Sequence, residues 1–596
     1  MNTKDKKPKI DLTAREFNTI KGDLVEHARR FYPETYKDFS RGSVGSFFLD
    51  AVAYVGDMLS FYIDYNANES FLETAAEAKN IISLARQLGF NDSLRNTTFG
   101  KTYIYATVDA SSTGLGPDVR YLPIIRRGST LVSTNGTLFT LINDVDFSDD
   151  SAQFVVASED SGTGAPLTYA VRMLGDVVSG TYKETTFTIE EFKKFRKITI
   201  PDSSVSEIVA VYDSEGNEYY EVESLSQDIV IREVNSGTSK PVSLMKPFAV
   251  DRKFIVSYSS GRLSIQFGAQ PPSTMLNRSI SSPSDVLLDK SAKSYITDSS
   301  FDPSKIATSD SLGIGPANTT LTVLYRNNNS TTNNVPVGSL TSFNEPVVDF
   351  TNRNNLNFSK LQAVINSLES FNEDPIMGSN SSMTIDEVKM RAKGVFASQN
   401  RAVTKNDYES LIYNMPGKFG SIKRVNVIKD TTARKNKLIA YIASEDAQGF
   451  LIKPNEKIKQ NLKVWLQNYK MLSDSIDLID AEVVNFGIDF AVMIDGAFNK
   501  QTVLINCKER LAELYEEPFM ISEVIRVSDI YKTLSDVPGV LSVDSVEIVV
   551  KQGTNYSSSY VDIKSLQTRD GNMILTPEQV VFELKYPTQD IRGVSA

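Results

Sequence analysis

Two residue types that most often carry nucleophilic or proton-transfer chemistry occur once each in this chain of 596 residues, as Cys507 and His27. One thiol forms no intrachain disulfide, and one imidazole with one thiol makes no Cys/His zinc set. Cys507 sits among Leu504, Leu511 and Leu514 at helical spacing, the pattern of an inert core thiol rather than a nucleophile. His27, between Glu26 and Ala28 with no histidine partner, reads as a helical surface or interface position. The carboxylate pairs Glu190/Glu191 and Glu516/Glu517 are of the type that serves glycosidases, but 74 acidic residues make adjacent pairs inevitable, and solvated faces account for them. Gly114/Gly116, Gly162/Gly164 and Gly313/Gly315 each lack the third glycine of a dinucleotide fingerprint and read as turns. No Gly-x-x-x-x-Gly-Lys loop, His-Glu-x-x-His helix or Gly-x-Ser-x-Gly elbow is present. The sequence predicts no enzyme, no catalytic residue, no cofactor and no metal.

The elements that would position any site begin with three helices. Thr13 and Glu16 form a Thr-x-x-Glu capping box, with Leu12 and Phe17 as its staple, ahead of Phe17, Ile20, Leu24, Ala28 and Phe31 at helical spacing; Pro33 limits the run. A second helix over 43–68 carries Phe48, Val52, Val55, Leu59 and Tyr62, stepping by four and three, the seam of a helix that packs on another helix. A third opens on a box from Thr74 to Glu77, points Ala78, Ile81, Ala85 and Leu88 inward and stops at Gly89. These helices display an apolar face that includes Phe47, Phe48, Phe61, Tyr62 and Tyr65. Burying a large apolar side chain is worth roughly 1.5–3 kcal/mol, while ordering one backbone residue costs about 1–2 kcal/mol. Three helices alone are therefore marginal, and partner helices from other chains are expected on the seam Phe48, Val52, Val55, Leu59 and Tyr62.

Alternation replaces the helical period from about residue 97. Tyr103, Tyr105 and Thr107 alternate with Ile104, Ala106 and Val108, and Asn135-Gly136 separates two alternating runs, a hairpin signal. Further strands are expected at 198–200, 208–212, 219–222, 253–258 and 263–267, with loops or junctions at 148–164, 272–311 and 327–334. The last 250 residues read as α+β. Strands over 422–428 and 437–443 precede a helix with Ile458, Leu462, Trp465 or Leu466, and Tyr469 on one face; a strand at 476–484 follows. A strand at 490–494, a helix lined by Leu504, Cys507, Leu511 and Leu514, a short helix at 528–535 and a strand at 541–550 complete the chain.

The fold class is thus multidomain α+β: an N-terminal helical segment (1–95), a β-rich domain (96–271), a β- and loop-rich connecting region (272–389), and two C-terminal α+β sandwich domains (390–483 and 484–596). With 63 basic against 74 acidic residues the net charge is −11, which predicts neither a nucleic-acid nor an anionic-membrane partner. The cluster Lys4, Lys6, Lys7 and Lys9 is broken by Asp5 and Asp11 and reads as a mobile terminus. No apolar run approaching the roughly 20 residues of a membrane span is expected, and the first ten residues lack the apolar core of a secretory signal, so assembly in a cytoplasm is predicted.

Five stretches, in order, resemble baseplate J-like proteins, the family of the large wedge protein of T-even-type contractile-tailed phages. They are GSFFLDAVAYVGDMLSFYIDYNANESFLETAAEAKNIISLARQLGF (45–90), RRGSTLVSTNGTLFTLINDV (126–145), NRAVTKNDYESLIYNMPGKFGSIKRVNVI (400–428), YKMLSDSIDLIDAEVVNFGIDFAVMI and SDIYKTLSDVPGVLSVDSVEI. Each also has a plain structural role: Thr404 and Asp407 can start a helix, while Pro416-Gly417 and Pro538-Gly539 turn the chain. The resemblance implies a structural subunit of the virion tail baseplate, two copies per wedge. Their N-terminal helices would join a helix from another wedge protein, their C-terminal domains would close a ring around the hub, and a small sheath-initiating subunit would bind inside. Such a ring transmits baseplate rearrangement to sheath contraction. The equivalent subunit of a phage-like contractile injection system is an alternative, as is, more distantly, a tail carbohydrate-binding protein using 97–270.

Overall fold

The computed structural model describes residues 16–34, 43–90, 97–227, 229–235, 243–259, 262–272, 312–328, 333–351, 353–380, 383–430, 437–471, 473–516 and 518–595. The lysine cluster at Lys4–Lys9, Leu12 and Thr13 lie outside them. The chain is a multidomain α+β protein in which helices lead, barrel and half-barrel sheets follow, and α+β units close the sequence.

Helix α1 spans Phe17–Phe31, α2 Val44–Glu69 and α3 Ala78–Gln87. The box expected from Thr74 to Glu77 does not form, and the one expected from Thr13 falls outside the described residues. Glu16 and Glu77 are themselves the N-cap residues, without a side-chain cap; Thr74 instead donates to the Asn68 carbonyl at 2.7 Å and Glu77 accepts from Tyr65. Contacts to the end of α2 thus replace the local box, and α3 starts three residues later than the motif suggests. The C-terminal stop at Gly89 is as expected. Gly89 has φ +90°, Phe90 N–H donates to the Ala85 carbonyl at 3.1 Å and Gly89 N–H to the Arg86 carbonyl at 3.0 Å, a Schellman closure. Ile81 and Ala85 are buried against Val388, Ala392 and Val395.

Six strands close a barrel in the order Phe99–Asp109, Glu369–Phe371, Leu340–Glu345, Thr130–Ser133, Leu138–Leu141 and Pro166–Ser179, the last pairing back on the first from Phe99↔Val178 to Asp109↔Thr168. The period of two in the sequence puts Ile104, Ala106 and Val108 inside with Leu131, Phe139, Val171 and Leu340. Asn135-Gly136 turns the hairpin that pairs Thr130 with Thr140. Strand Gln153–Glu159 lies beyond the barrel wall, paired only with Pro166–Ser179 among the described residues; the stretch 148–164 is therefore not wholly loop.

Gly180 then turns the chain into Thr181–Ile189, the edge of a seven-stranded sheet whose neighbours follow as Thr319–Asn327, Val205–Tyr212, Glu218–Glu221, Lys253–Ser259, Arg262–Phe267 and Lys197–Thr199. Strands from 319–371 complete sheets begun by strands from 99–267, so no sheet boundary falls at 271/272. Strand partners are fixed by pairing across large sequence separations, which grouping by chain order does not capture.

Helices α4 (Phe358–Asn366) and α5 (Ile385–Ser398) precede the C-terminal units. In the first, α6 (Lys405–Tyr413) and α7 (Glu456–Gln467) cover strands Arg424–Lys429, Lys437–Glu445 and Ser475–Asp480, burying Tyr408, Leu411, Ile458, Leu462 and Leu466. Thr404 and Asp407 form the full capping box at the start of α6. The strand expected at 476–484 is divided at the buried Ala481. Ser475–Asp480 belongs to the first sheet, and Glu482–Ile494 crosses into the second, pairing with Val540–Val550, Val580–Glu583 and Ile591–Ser595. There α8 (Lys500–Leu514) and α9 (Val527–Ser535) bury Val503, Cys507, Leu511, Ile530 and Leu534.

Candidate partner-binding helix

Helix α2 is built with a small side and a large side. Ser46, Ala53 and Ser60, seven residues apart, are buried, and Gly56 lies where an added Cβ would stand 3.3 Å from Ile20 of α1. Lys21 of α1 ion-pairs with Asp50 at 2.5 Å. Small residues allow α1 to approach closely on this side. Ser43 caps the start by accepting from Ser46 N–H at 3.1 Å.

The opposite side has no cover among the described residues. Phe48, Val52, Val55, Leu59 and Tyr62 are 63, 55, 56, 58 and 52% exposed, so the five residues of the expected seam all leave more than half their surface in water. Beside them runs a second row, Phe47, Ala51, Tyr54, Met58, Phe61 and Tyr65, again stepping by four and three and exposed throughout. Tyr54 and Met58 were not singled out in the sequence, although the same heptad count finds them. The rings pack along the helix surface, Phe47 on Phe48 at 6.0 Å, Phe61 on Tyr62 at 5.9 Å and Phe61 on Tyr65 at 6.1 Å. At roughly 1.5–3 kcal/mol per fully buried large side chain, covering the exposed half of the first row alone is worth about 4–8 kcal/mol.

The C-terminal end of α2 is held rigidly. The Glu69 carboxylate accepts from Asn80 Nδ2 at 2.9 Å and from the N–H groups of Ala76 at 2.8 Å and Glu77 at 3.3 Å; the Asn80 bond foremost keeps its pKa below the usual carboxylate value. Tyr65 donates to Glu77 at 2.8 Å, which raises the phenol. These bonds join α2 to the start of α3, and the apolar cluster of Ile81 and Ala85 with Val388, Ala392 and Val395 joins α3 to α5.

By length and composition α2 could cross a membrane, which corrects the expectation that no apolar run approaches that length. Its acids weigh against lipid. Asp50, Asp57 and Asp64 recur every seven residues, and an aspartate near mid-helix costs about 2.5–3.5 kcal/mol to insert against a gain of about 0.3–0.6 kcal/mol per large apolar residue. A protein surface that accepts the seam and leaves the aspartates on the α1 side in water avoids that cost.

The residues considered for chemistry are dispersed. His27 is exposed on α1 with its ring 4.7 Å from Phe31. Cys507 is buried, and desolvation pushes its thiol up to about 11. Glu190, Glu191 and Glu516 are exposed, and Glu517 lies outside the described residues. Among the described residues no group of three or more His, Cys, Asp or Glu side chains is arranged to hold a metal.

Residues 23–87, which take in most of α1 and all of α2 and α3, match the family model described as bacteriophage baseplate protein, N-terminal domain. The chain thus carries a baseplate-type N-terminal segment, and the exposed seam lies within it. No curated protein sequence matches the chain. Among solved structures, it aligns with a chain of the anti-feeding prophage baseplate at 10% identity, covering 94% of this chain and 90% of that one with a TM-score of 0.26. It also aligns with a chain of the type VI secretion system TssK-TssF-TssG baseplate subcomplex at 8% identity, covering 74% and 96% with a TM-score of 0.23. TM-scores this low do not establish a common fold.

Proposed function

We propose that this protein is a structural, non-enzymatic subunit of a contractile phage tail baseplate, in the role of the large wedge protein that rings the hub. The observation that carries the reading is the bare aromatic seam of α2 inside the segment matched to baseplate proteins. A heptad seam wants helices, because each knob needs a hole of four facing side chains. One side of α2 is occupied by α1 and two apolar rows remain, so the segment suits a bundle shared with a second copy and with a helix of another wedge protein. Residues 390–596 would then make the contacts that close the ring, receive the small sheath-initiating subunit and pass baseplate rearrangement to the sheath. The protein would be made in the host cytoplasm and reside in the virion tail.

The test is co-production of the full chain with the other wedge proteins of its genome. Val55→Asp with Leu59→Asp should abolish co-assembly while the C-terminal units keep their fold. Co-assembly of the double variant at the level of the native chain would remove the bundle from the reading.

A further inference from the structure

Strand Gln153–Glu159 is an edge that is ordered on one side and open on the other. All seven residues are exposed, with Phe154 at 52% and Val155 at 67%. Its inner edge is tied to Pro166–Ser179 from Gln153↔Arg172 onward, reinforced by Arg172 Nε donating to Gln153 at 2.9 Å and by the Ser158–Thr168 hydroxyl pair at 2.6 Å. Both ends are pinned. Asp149 accepts from Ser151 N–H and Oγ at 3.0 Å, and Asp160 accepts from Thr163 Oγ1 at 2.6 Å while its own N–H donates to the Ala165 carbonyl at 2.8 Å. The outer edge has no strand partner among the described residues.

Natural edge strands are usually blunted by lysine, proline or a covering element. This strand has neither residue, and it presents Phe154 and Val156 on one face with Val155 on the other. Its bulges fall between Val156 and Glu159, leaving 153–156 as regular ladder with outward N–H and C=O groups. The charge around it is predominantly acidic; Arg172, opposite Gln153, is held by Gln153 and by Glu373 at 3.7 Å. No Lys or Arg occurs from 128 to 171, while Asp149, Asp150, Glu159 and Asp160 bracket the strand.

We propose that this edge is a strand-addition site for an extended segment of another protein, one with alternating apolar residues flanked by Lys or Arg. Main-chain hydrogen bonds to 153–156 supply the docking, as in other β-augmented complexes. The four flanking carboxylates select a basic sequence over an acidic one. The site is separate from the α2 seam and does not depend on the bundle.

The probe is a fluorescent peptide, Lys-Lys-Val-Thr-Val-Thr-Val-Lys-Lys, titrated by anisotropy into the full chain beside its counterpart with Glu at all four Lys positions. The basic peptide is expected to bind at least tenfold tighter, with binding weakened by salt and amide exchange slowed at 153–156. Val155→Lys, at a residue two-thirds exposed, should weaken it tenfold, while Val337→Lys, at an exposed residue outside this strand, leaves it unchanged. Peptides that bind alike, indifference to Val155→Lys, or protection elsewhere would overturn the proposal. So would light scattering that shows self-association abolished by Val155→Lys, since the occupant would then be a second copy. The Val55→Asp/Leu59→Asp chain should bind the peptide normally, which separates failure here from failure of the bundle.

Discussion

The carboxylate of Glu387 in α5 accepts from Arg424 Nη1 at 3.2 Å, across the junction between the helical layer and the C-terminal sheets. The same oxygen accepts from Arg391 at 2.5 Å, and Arg424 continues onward, donating through Nε to the Phe519 carbonyl at 3.1 Å and through Nη2 to that of Pro518 at 3.0 Å. One guanidinium therefore joins α5, which carries α3, to the terminal α+β unit.

Glu387→Ala should loosen this junction. Desolvation is the largest single influence on the carboxyl and raises its pKa, but Arg391, Arg424 and Lys423 together outweigh it and leave the pKa lowered. A lowered folded pKa gives stability that is fully present above the unfolded value near 4.3 and is lost as pH falls through the folded value. Removing one partner of a buried pair costs roughly 3–5 kcal/mol. Hydrogen exchange at pH 7 should show α5 and the 518–519 segment opening more easily by about that amount. The difference from the native chain should shrink below about pH 4; a difference that persists undiminished in acid would exclude the ion pair as its source.

Gly180 marks the passage from barrel to second sheet. Its φ is +98°, and an added Cβ would stand 2.5 Å from the Asn327 carbonyl oxygen. The left-handed conformation alone costs a non-glycine residue about 1–3 kcal/mol, and here backbone blocks the space as well. Gly180→Ala is expected to lower the unfolding midpoint of the β region by more than that strain, whereas Gly136→Ala, with nothing within 4 Å, should lose only the conformational part. Equal losses at the two sites would show that the close approach is relieved by a small shift.

How much of this was legible follows from what each signal depends on. The 3.6-residue period found α1, α2 and α3 to within a few residues, and the period of two found the strand at Phe99–Asp109 with its buried side, because both patterns are local. The seam Phe48 to Tyr62 was readable as apolar and heptad-spaced. That α1 would take the side of Ser46, Ala53 and Ser60, leaving two rows bare, was not readable, since small residues carry little signal alone. Glu77 and Thr74 fit a capping box in sequence yet serve Tyr65 and Asn68 instead, where tertiary partners outcompete local ones. The return of 319–371 into the earlier sheets lies beyond any local pattern.

Cys507 offers a built-in reporter. It is the single thiol, fully buried in the terminal unit, and desolvation raises it to about 11, so at pH 8 it is both inaccessible and protonated. A thiol reagent such as Ellman's should react with less than a tenth of the chains in native buffer and with one equivalent in denaturant. Full reaction without denaturant would mean that α8 opens readily.

The α2 seam makes a contrasting prediction for stability. Val55 and Leu59 are more than half exposed, and surface substitutions away from special contacts usually stay within about 0.5 kcal/mol. Val55→Asp with Leu59→Asp should therefore leave thermal unfolding of the isolated chain nearly unchanged. Ile81→Ala, in the buried contact between α3 and α5, should cost about 2–5 kcal/mol. The same pair of variants separates a protein partner from a lipid one: with Asp50, Asp57 and Asp64 along α2, the native chain should not float with phosphatidylcholine vesicles. Flotation of the native chain that the Val55→Asp/Leu59→Asp variant loses would assign the seam to a membrane instead.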